Sequence, residues 1–375
     1  DTYGYRDHRT DGMDAEVAKI LPETELYGKT GIQKQIFNTV YQLMAVKQQT
    51  PELLQQAKTL LMLPDYFGFR LTGNKLSEYT NGSTTQLVNP DTFQWDKELI
   101  RKLGYPEDIF LPLQMPGTKV GQLLPEIQKE VGFDLEVVLC GSHDTASAVM
   151  AVPQTEGDGI YISSGTWSLM GIESLKPVIT EDAAAANFTN EGGYDHRFRF
   201  LKNIMGLWMI QSVRHEYQDA YSFAQLCDMA EESRDFSSRV DVNDQSFLSP
   251  DSMIEAIKQY CQKTSQPVPE TVGELAAVVY RSLAQSYGET VKELETIAGR
   301  IYDSIHIIGG GSNAAYLNQL TADATGKTVY AGPGEATAIG NLLAQMIHAG
   351  DLADLKGARQ CVRDSFEIKT YVPEN

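Results

Sequence analysis

The sequence predicts an α/β protein with two domains. Its 375 residues are too many for one hydrophobic core, because single cores stop growing at about 250–300 residues. Residues 1–134 have mainly helical patterns, whereas from Leu135 onward apolar strand-like runs alternate with helix-like segments. Such alternation is typical of an open sheet whose strands are joined by helices.

The strand-like runs are short and almost wholly apolar, as buried strands are. They are Leu135–Cys140, Gly159–Ser163, Trp167–Ile172, Phe198–Ile204 and Ile305–Ile308. The longest predicted helix runs from Glu270 to Ala298. Gly273 and Gly288 lie inside it and weaken the expectation that it is uninterrupted, since each glycine costs about 1 kcal/mol relative to alanine.

Composition and charge exclude several classes of protein. The 31 Lys and Arg residues face 50 Asp and Glu residues, and the resulting net charge of −19 opposes binding to a nucleic-acid backbone. No apolar run approaches the roughly 18 residues of a membrane span, and the acidic start lacks a signal-peptide pattern. The four scattered cysteines predict neither a zinc site nor disulfides. We therefore expect a cytoplasmic protein that binds neither nucleic acid nor membrane, of unassigned oligomeric state.

Asp144 lies where an apolar strand gives way to a helix-like segment, Thr145–Met150. Ligands of open α/β sheets bind beyond such carboxyl strand ends, and an acid there can serve as a general base. Asp is also a favoured helix N-cap, which explains the same position without any catalytic role. Taken alone, these preferences favour capping.

A buried strand, a glycine turn and a helix follow one another at Ser304–Leu320. The triplet Gly309–Gly311 lets a ligand approach the backbone, and the following helix N-terminus favours negative charge. A second such turn, Ser163–Trp167, strengthens the interpretation as a nucleotide site, while a purely structural glycine turn stays open. The Rossmann pattern Gly309-x-Gly311-x-x-Ala314 is also present, but it lacks the acid at the end of the next strand that dinucleotide binding requires.

Two other groups of residues could indicate an enzyme class, but neither has the required geometry. Ser142, His143 and Asp144 are the residue types of a hydrolase triad, but adjacent side chains point in different directions and cannot relay protons in a line. The six histidines never occur at the i, i+4 spacing of a helical zinc pair. Neither a hydrolase nor a zinc enzyme is predicted.

Eight runs along the chain together resemble the FGGY carbohydrate kinases, and among them the kinases of L-rhamnulose. They occur in the expected order and span nearly the whole chain: Tyr5–Thr10, Leu63–Phe67, Tyr79–Asn89, Ser142–Ala148, Ser163–Ser168, Thr189–Gly193, Lys202–Trp208 and Gly309–Gly311. The resemblance implies an actin-like, ribonuclease-H-like α/β fold with the active site in the cleft between two domains. Residues 1–145 would be part of the first, sugar-side domain, and residues 146–375 the second, nucleotide-side domain.

The resemblance also implies an activity, the ATP-dependent phosphorylation of L-rhamnulose at its 1-hydroxyl in rhamnose catabolism, with Mg²⁺ bridging the phosphates. Asp144 resembles the family's proton acceptor, which reverses the preference for capping alone. The implied sugar contacts are His143, Asp144, Thr145 and Asn203, and the implied ATP contacts are Thr166, Gln211 and Gly310. Metal ligands stay unassigned.

The sequence departs from the family pattern in one respect. Family members begin with an Asp-x-Gly phosphate loop and a Gly-Val-Asp-Phe-like sugar segment, and neither occurs in this chain. We therefore expect an N-terminally truncated chain whose first domain is incomplete and which, alone, has little or no kinase activity.

Two alternative functions stay open at the level of sequence. One is a kinase for a related deoxyketose such as L-fuculose. The other is a non-catalytic, actin-like protein that binds sugar or nucleotide without transferring phosphate. Both keep a small-molecule sugar as the partner.

Overall fold

The computed structural model describes residues 7–154 and 158–374. Tyr5 and Arg6, which belong to the first of the family-like runs, lie outside the described residues. Contacts between residues divide the chain into two units. The first contains the chain up to Met150, Glu173–Leu201 and Ala338–Leu355, and the second contains Ala151–Ile172, Lys202–Thr337 and the chain from Lys356. The domain boundary expected after residue 145 stays a prediction.

Short helices dominate the chain up to Met150. The helices are α1 Met13–Ala18, α2 Glu23–Thr30, α3 Thr39–Gln49, α4 Pro51–Gln56, α5 Leu63–Thr72, α6 Tyr79–Ser83, α7 Lys97–Lys102, α8 Pro125–Val131 and α9 Asp144–Met150. The strands are β1 Ser77–Glu78, β2 Val88–Asn89, β3 Gln94–Trp95, β4 Leu113–Gln114, β5 Lys119–Gln122 and β6 Glu136–Val138, and a 3₁₀ turn covers Glu107–Ile109.

Longer strands and helices alternate from residue 158 onward. The strands are β7 Ile160–Ser164, β8 Trp167–Ser174, β9 Thr189–Gly192, β10 Phe198–Met205, β11 Ser304–Ile308, β12 Thr328–Ala331 and β13 Lys369–Tyr371. The helices are α10 Glu181–Ala185, α11 Trp208–Glu216, α12 Phe223–Glu232, α13 Met253–Lys263, α14 Val272–Ala298, α15 Ala315–Thr325, α16 Ala336–Ala349 and α17 Leu355–Ser365, with 3₁₀ turns at Gln245–Phe247 and Gly310–Asn313.

All five strands predicted from apolar runs are present, as β6, β7, β8, β10 and β11. The largest difference is at β6, which is three residues long where six were predicted. The apolar pattern was informative for β7, β10 and β11, which are mainly buried, as strands in α/β proteins are. The expected burial was wrong for β6, whose three residues are all half-buried.

The second unit is organised around a sheet with the strand order β13-β12-β11-β7-β8-β10. Strand β11 pairs parallel with β7 on one side and with β12 on the other, whereas β7 and β8 form an antiparallel hairpin. Ile308 at the end of β11 is opposite Ser163, next to the end of β7. The loops that leave these two parallel strands therefore start at the same edge of the sheet.

The predicted long helix is present as α14, and it is continuous over 27 residues despite its two glycines. A Cβ on Gly273 would lie 2.8 Å from the carbonyl oxygen of Met229 on α12, and one on Gly288 would lie 2.8 Å from that of Ala324 on α15. The glycines thus allow close packing of neighbouring helices, which outweighs their helix cost. Among the described residues, no helix has both the length and the apolarity needed to cross a bilayer.

The first unit packs around α3. Val40, Leu43 and Met44 on this helix contribute to an apolar cluster that includes Leu99 and Ile100 on α7. Beside this core, β1 pairs parallel with β4. Strand β9 pairs antiparallel with residues 198–201, the first half of β10.

Two carboxylates, those of Asp65 and Glu78, are buried together at the end of β1. Asp65 on α5 accepts a hydrogen bond from the backbone N–H of Glu78 through Oδ1, at 3.2 Å, and its Oδ2 has no hydrogen-bond partner among the described residues. Burial and the neighbouring charge of Glu78 raise the pKa of Asp65 to about 7. Asp65 therefore titrates near neutrality inside the folded unit.

This titration predicts a pH-dependent stability that an Asp65→Asn variant removes. Because the folded-state pKa is raised, the native state keeps a proton that the unfolded state has released between about pH 4 and pH 7, so the free energy of unfolding falls as pH rises through that window. Asparagine keeps the acceptor for Glu78 and cannot ionise. We expect the native chain to lose about 2–3 kcal/mol more than the variant between pH 5 and pH 8, measured by urea unfolding. Asp134→Asn, at an exposed position, is the control, and equal losses in all three proteins would contradict the assignment.

Candidate active site

Asp144 is the first residue of α9, one position earlier than the helix start predicted from sequence. Its Oδ1 accepts hydrogen bonds from the backbone N–H of Thr145 at 2.6 Å and from the Thr145 hydroxyl at 3.3 Å. The side chain is nevertheless 80% exposed. The carboxylate is therefore oriented by its neighbour and still open to a ligand. Thr145 itself is buried, with its hydroxyl directed at Asp144.

Helix α9 packs closely against helix α16 at Gly340. A Cβ on Gly340 of α16 would lie 1.8 Å from the carbonyl oxygen of Ser147. The Ser147 hydroxyl in turn donates to the carbonyl oxygen of Gly141, at 2.7 Å. Only glycine fits at residue 340 without displacing α9, so the position of Asp144 depends on this packing.

His143 precedes Asp144, and its side chain is 24% exposed. Its Nδ1 lies 3.8 Å from Oε2 of Glu191 and has no hydrogen-bond partner among the described residues. Burial lowers the pKa of His143; the negative charge of Glu191 opposes this effect and the positive charge of Arg199 adds to it. The ring is consequently neutral at pH 7, where one nitrogen can donate and the other can accept a hydrogen bond.

Glu191 and Arg199 form a buried ion pair beside this ring. Arg199 is fully buried; its Nε donates to the carbonyl oxygen of Gly192 at 2.9 Å, and its Nη2 lies 3.1 Å from Oε2 of Glu191. Neither residue was assigned a role from the sequence, because both lie on strands β9 and β10 and only the fold brings them near His143. The run Thr189–Gly193 did contribute to the family resemblance, and a buried acid within it was the available signal.

A second group of candidate residues lies at the β7–β8 turn of the other unit. Gly165 and Thr166 form this turn, and their carbonyl oxygens accept from the backbone N–H groups of Leu207 at 3.0 Å and Trp208 at 3.1 Å. The turn thereby holds the start of α11, the helix that carries Gln211. Thr166 is exposed.

The glycine triplet packs against the end of β7. A Cβ on Gly309 would lie 2.9 Å from the carbonyl oxygen of Ser164, and one on Gly311 would lie 1.9 Å from the Ser164 hydroxyl oxygen. A Cβ on Gly310 would meet nothing within 4 Å. Two glycines are thus required by packing, whereas Gly310 leaves its backbone open to an approaching group.

The structure therefore groups the predicted residues in two places. His143, Asp144 and Thr145 are contiguous in the first unit. In the second unit, Thr166 lies in the β7–β8 turn, Gln211 lies on the helix whose start this turn holds, and Gly310 lies in the loop that packs against the end of β7. Asn203, the remaining predicted sugar contact, lies on β10 in the part assigned to the second unit. The roles of these residues stay predictions.

Two family descriptions match the chain. The N-terminal domain of the FGGY family of carbohydrate kinases matches residues 4–151, and the C-terminal domain of that family matches residues 160–349. The chain belongs to the FGGY family of carbohydrate kinases. The predicted carbohydrate kinase is thereby confirmed, and use of ATP follows from the family.

Similar proteins agree with this membership. A protein named rhamnulokinase from Halalkalibacterium halodurans is 52% identical over 372 residues, 99% of this chain and 79% of its own length. A rhamnulokinase from Bacillus subtilis is 47% identical over 374 residues, 99% of this chain and 76% of its own length.

Solved structures of sugar kinases share the fold of this FGGY kinase. Plasmodium falciparum glycerol kinase with ADP superimposes with a TM-score of 0.76 at 15% identity, covering 99% of this chain and 74% of the other. Xylulose kinase from Lactobacillus acidophilus gives a TM-score of 0.75 at 16% identity, with coverage of 99% and 74%. The predicted actin-like, two-domain α/β fold is confirmed.

The buried Glu191–Arg199 pair predicts a strong energetic coupling. Either Glu191→Gln or Arg199→Met leaves an uncompensated buried charge, and we expect each to lower the free energy of unfolding by about 3–5 kcal/mol. The double variant removes both charges, so its loss is expected to be smaller than the sum of the single losses. Urea unfolding of the four proteins measures this coupling. Strict additivity would mean that the two side chains do not compensate one another.

Proposed function

We propose that this FGGY kinase transfers the γ-phosphoryl group of ATP to the 1-hydroxyl of L-rhamnulose, forming L-rhamnulose 1-phosphate and ADP in rhamnose catabolism. The relatives named rhamnulokinase, 52% and 47% identical over 99% of the chain, support this substrate. The structural observation that carries the proposal is the exposed carboxylate of Asp144, oriented by Thr145.

Asp144 is the proposed proton acceptor. In phosphoryl transfer the bond between the γ-phosphorus and its leaving oxygen breaks while the sugar oxygen forms the new bond, through a loose transition state. The hydroxyl proton becomes acidic late in this process and passes to the carboxylate. An exposed, hydrogen-bonded carboxylate suits this role, because a carboxylate only accepts hydrogen bonds until it is protonated.

The sugar contacts proposed beside the base are His143, Thr145 and Asn203. A neutral imidazole at His143 both donates and accepts, as a polyol with several hydroxyls requires. The Thr145 hydroxyl donates a hydrogen bond to the Asp144 carboxylate, and Thr145 is also a proposed contact of the sugar. Asn203 offers an amide with donor and acceptor ends from β10.

Thr166, Gln211 and Gly310 are the proposed ATP contacts. The unobstructed backbone at Gly310 and the exposed Thr166 at the end of β7 fit a phosphate-bearing ligand, which backbone N–H groups bind readily. Among the described residues, no group of three or more His, Cys, Asp and Glu side chains is placed to hold a metal ion. We propose that Mg²⁺ is bound mainly through the nucleotide phosphates and water, its usual coordination with ATP.

We propose the cytoplasm as the compartment of this reaction, since four free cysteines suit reducing conditions and ATP is the phosphoryl donor. The proposed partners are the sugar and the nucleotide, with no nucleic acid and no membrane. The net charge of −19 supports the absence of nucleic acid.

An Asp144→Asn variant tests the proposed base. Asparagine keeps the shape and cannot accept a proton, so we expect kcat with L-rhamnulose to fall by about 10²–10⁴-fold. ADP affinity is expected to stay within about twofold, because an interaction lost only in the transition state leaves ground-state binding intact. A coupled ADP-release assay on the complete enzyme and titration calorimetry provide the two readouts.

Asp182→Asn is the matched control, an exposed aspartate in the first turn of α10 in the same unit. It is expected to turn over at the native rate. Native-like kcat in Asp144→Asn would remove Asp144 as the base. A higher kcat/KM for L-fuculose than for L-rhamnulose in the native enzyme would replace the proposed substrate.

Alanine variants of Gly310 and Gly311 distinguish a loss of nucleotide binding from a loss of packing. Neither glycine has a positive φ, so alanine is compatible with both backbones. Gly310→Ala has open space, and we expect stability within about 0.5 kcal/mol of native with ADP affinity reduced at least about tenfold, since a methyl group obstructs the nucleotide. Gly311→Ala collides with Ser164 and is expected to cost about 1–3 kcal/mol. Native ADP affinity in Gly310→Ala would contradict the proposed contact.

A further inference from the structure

The Glu78 carboxylate is fully buried and accepts five hydrogen bonds. Oε1 accepts from the backbone N–H of Thr80 at 2.7 Å. Oε2 accepts from the Thr80 hydroxyl at 2.7 Å, the Asn81 N–H at 3.0 Å, the Ser142 N–H at 3.2 Å and the Ser142 hydroxyl at 2.6 Å. Burial raises the pKa of Glu78, and these hydrogen bonds oppose the shift. Five donors suit the ionised form, which only accepts.

The five donors come from two segments that are far apart in sequence. Thr80 and Asn81 belong to α6, whereas Ser142 lies 64 residues from Glu78, two residues before Asp144. The Thr80 hydroxyl continues the network, because it also accepts from the backbone N–H of His143 at 3.2 Å. The two N–H groups that immediately precede Asp144 in the chain are thus both held by the Glu78–Thr80 pair.

Helix capping accounts for only part of this arrangement. Glu78 is the N-cap of α6 and satisfies the N–H groups of Thr80 and Asn81. Capping needs nothing from Ser142 or His143, and shorter acceptors such as Asp or Ser are the usual choice. The longer glutamate places Oε2 where it reaches both segments. Its own backbone is fixed by Asp65 and by the pairing of β1 with β4.

We propose that Glu78 and Thr80 are positioning residues that fix the Ser142–His143 backbone and so aim the Asp144 carboxylate. This inference rests on the proposed role of Asp144 as the base. Neither Glu78 nor Thr80 is exposed, so both act through the chain segment that they hold. A shift of about 1 Å in a catalytic group can cost about 10²-fold in rate, which makes kcat the sensitive readout.

Thr80 provides a matched set of variants. Thr80→Val keeps the branched shape and removes the acceptor for His143, and we expect kcat to fall at least about tenfold. Thr80→Ser restores the hydroxyl, and we expect kcat within about threefold of native. Thr72→Val is the control, because the buried Thr72 hydroxyl also donates to one group and accepts from a backbone N–H, at Gly68 and Asn74. It is expected to lower the melting temperature like Thr80→Val and to leave kcat unchanged.

Adding Thr80→Val to Asp144→Asn distinguishes a positioning role from a general loss of stability. If Thr80 acts through Asp144, the double variant turns over as slowly as Asp144→Asn alone. Losses that multiply, or native kcat in Thr80→Val, would overturn the inference while leaving the base assignment intact. Native kcat in Asp144→Asn would instead overturn the proposed function.

Glu78→Gln tests the centre of the network independently. An amide presents N–H groups to donors and disrupts several of the five hydrogen bonds, so a folded Glu78→Gln protein is expected to lose at least as much kcat as Thr80→Val. ADP affinity, measured by calorimetry, is expected to stay within about twofold. If the variant does not fold, the Thr80 series decides; a folded Glu78→Gln enzyme with native kcat would overturn the inference.

Discussion

The buried Glu78 carboxylate is the constraint on which the arrangement around the candidate base depends. An ionised carboxylate away from water must have its oxygens satisfied, or burial costs several kcal/mol. Here the donors are the start of α6 and the segment before Asp144. The buried Glu78 carboxylate therefore holds together two segments that are far apart in sequence. The candidate base, Asp144, lies two residues after Ser142 in one of these segments.

The candidate ATP contacts are arranged by close packing instead of by charge. Gly309 and Gly311 let the loop after β11 lie against Ser164, and Gly206 lets the chain before α11 lie against the start of β8, where a Cβ would be 2.4 Å from the Trp167 carbonyl carbon. Because glycine has no side chain, the loop after β11 and the chain before α11 can both pack closely against the β7–β8 hairpin. The two kinds of support suit their tasks, since a proton acceptor needs orientation and a phosphate ligand needs accessible backbone.

Local patterns were sufficient for much of the fold. Most of the candidate site residues came instead from the family resemblance, and their roles stay predictions. Neither source indicated the residues that support them. The apolar runs predicted β7, β8, β10 and β11 because burial leaves a direct compositional mark. The continuity of α14 was left open, because the sequence shows the cost of Gly273 but not the helix that packs against it. Glu78 and Arg199 were assigned no role from the sequence. Glu78 contacts Ser142, which lies 64 residues away, and Arg199 contacts Glu191 on a neighbouring strand. No local sequence pattern encodes such contacts.

A crystal structure of the enzyme with L-rhamnulose and a nonhydrolysable ATP analogue provides the most direct test. We expect a carboxylate oxygen of Asp144 to lie about 2.6–3.2 Å from the oxygen of the sugar 1-hydroxyl, with the Glu78 hydrogen bonds to Ser142 intact. A sugar bound with its 1-hydroxyl hydrogen-bonded to a different acid, and Asp144 directed elsewhere, would contradict this expectation.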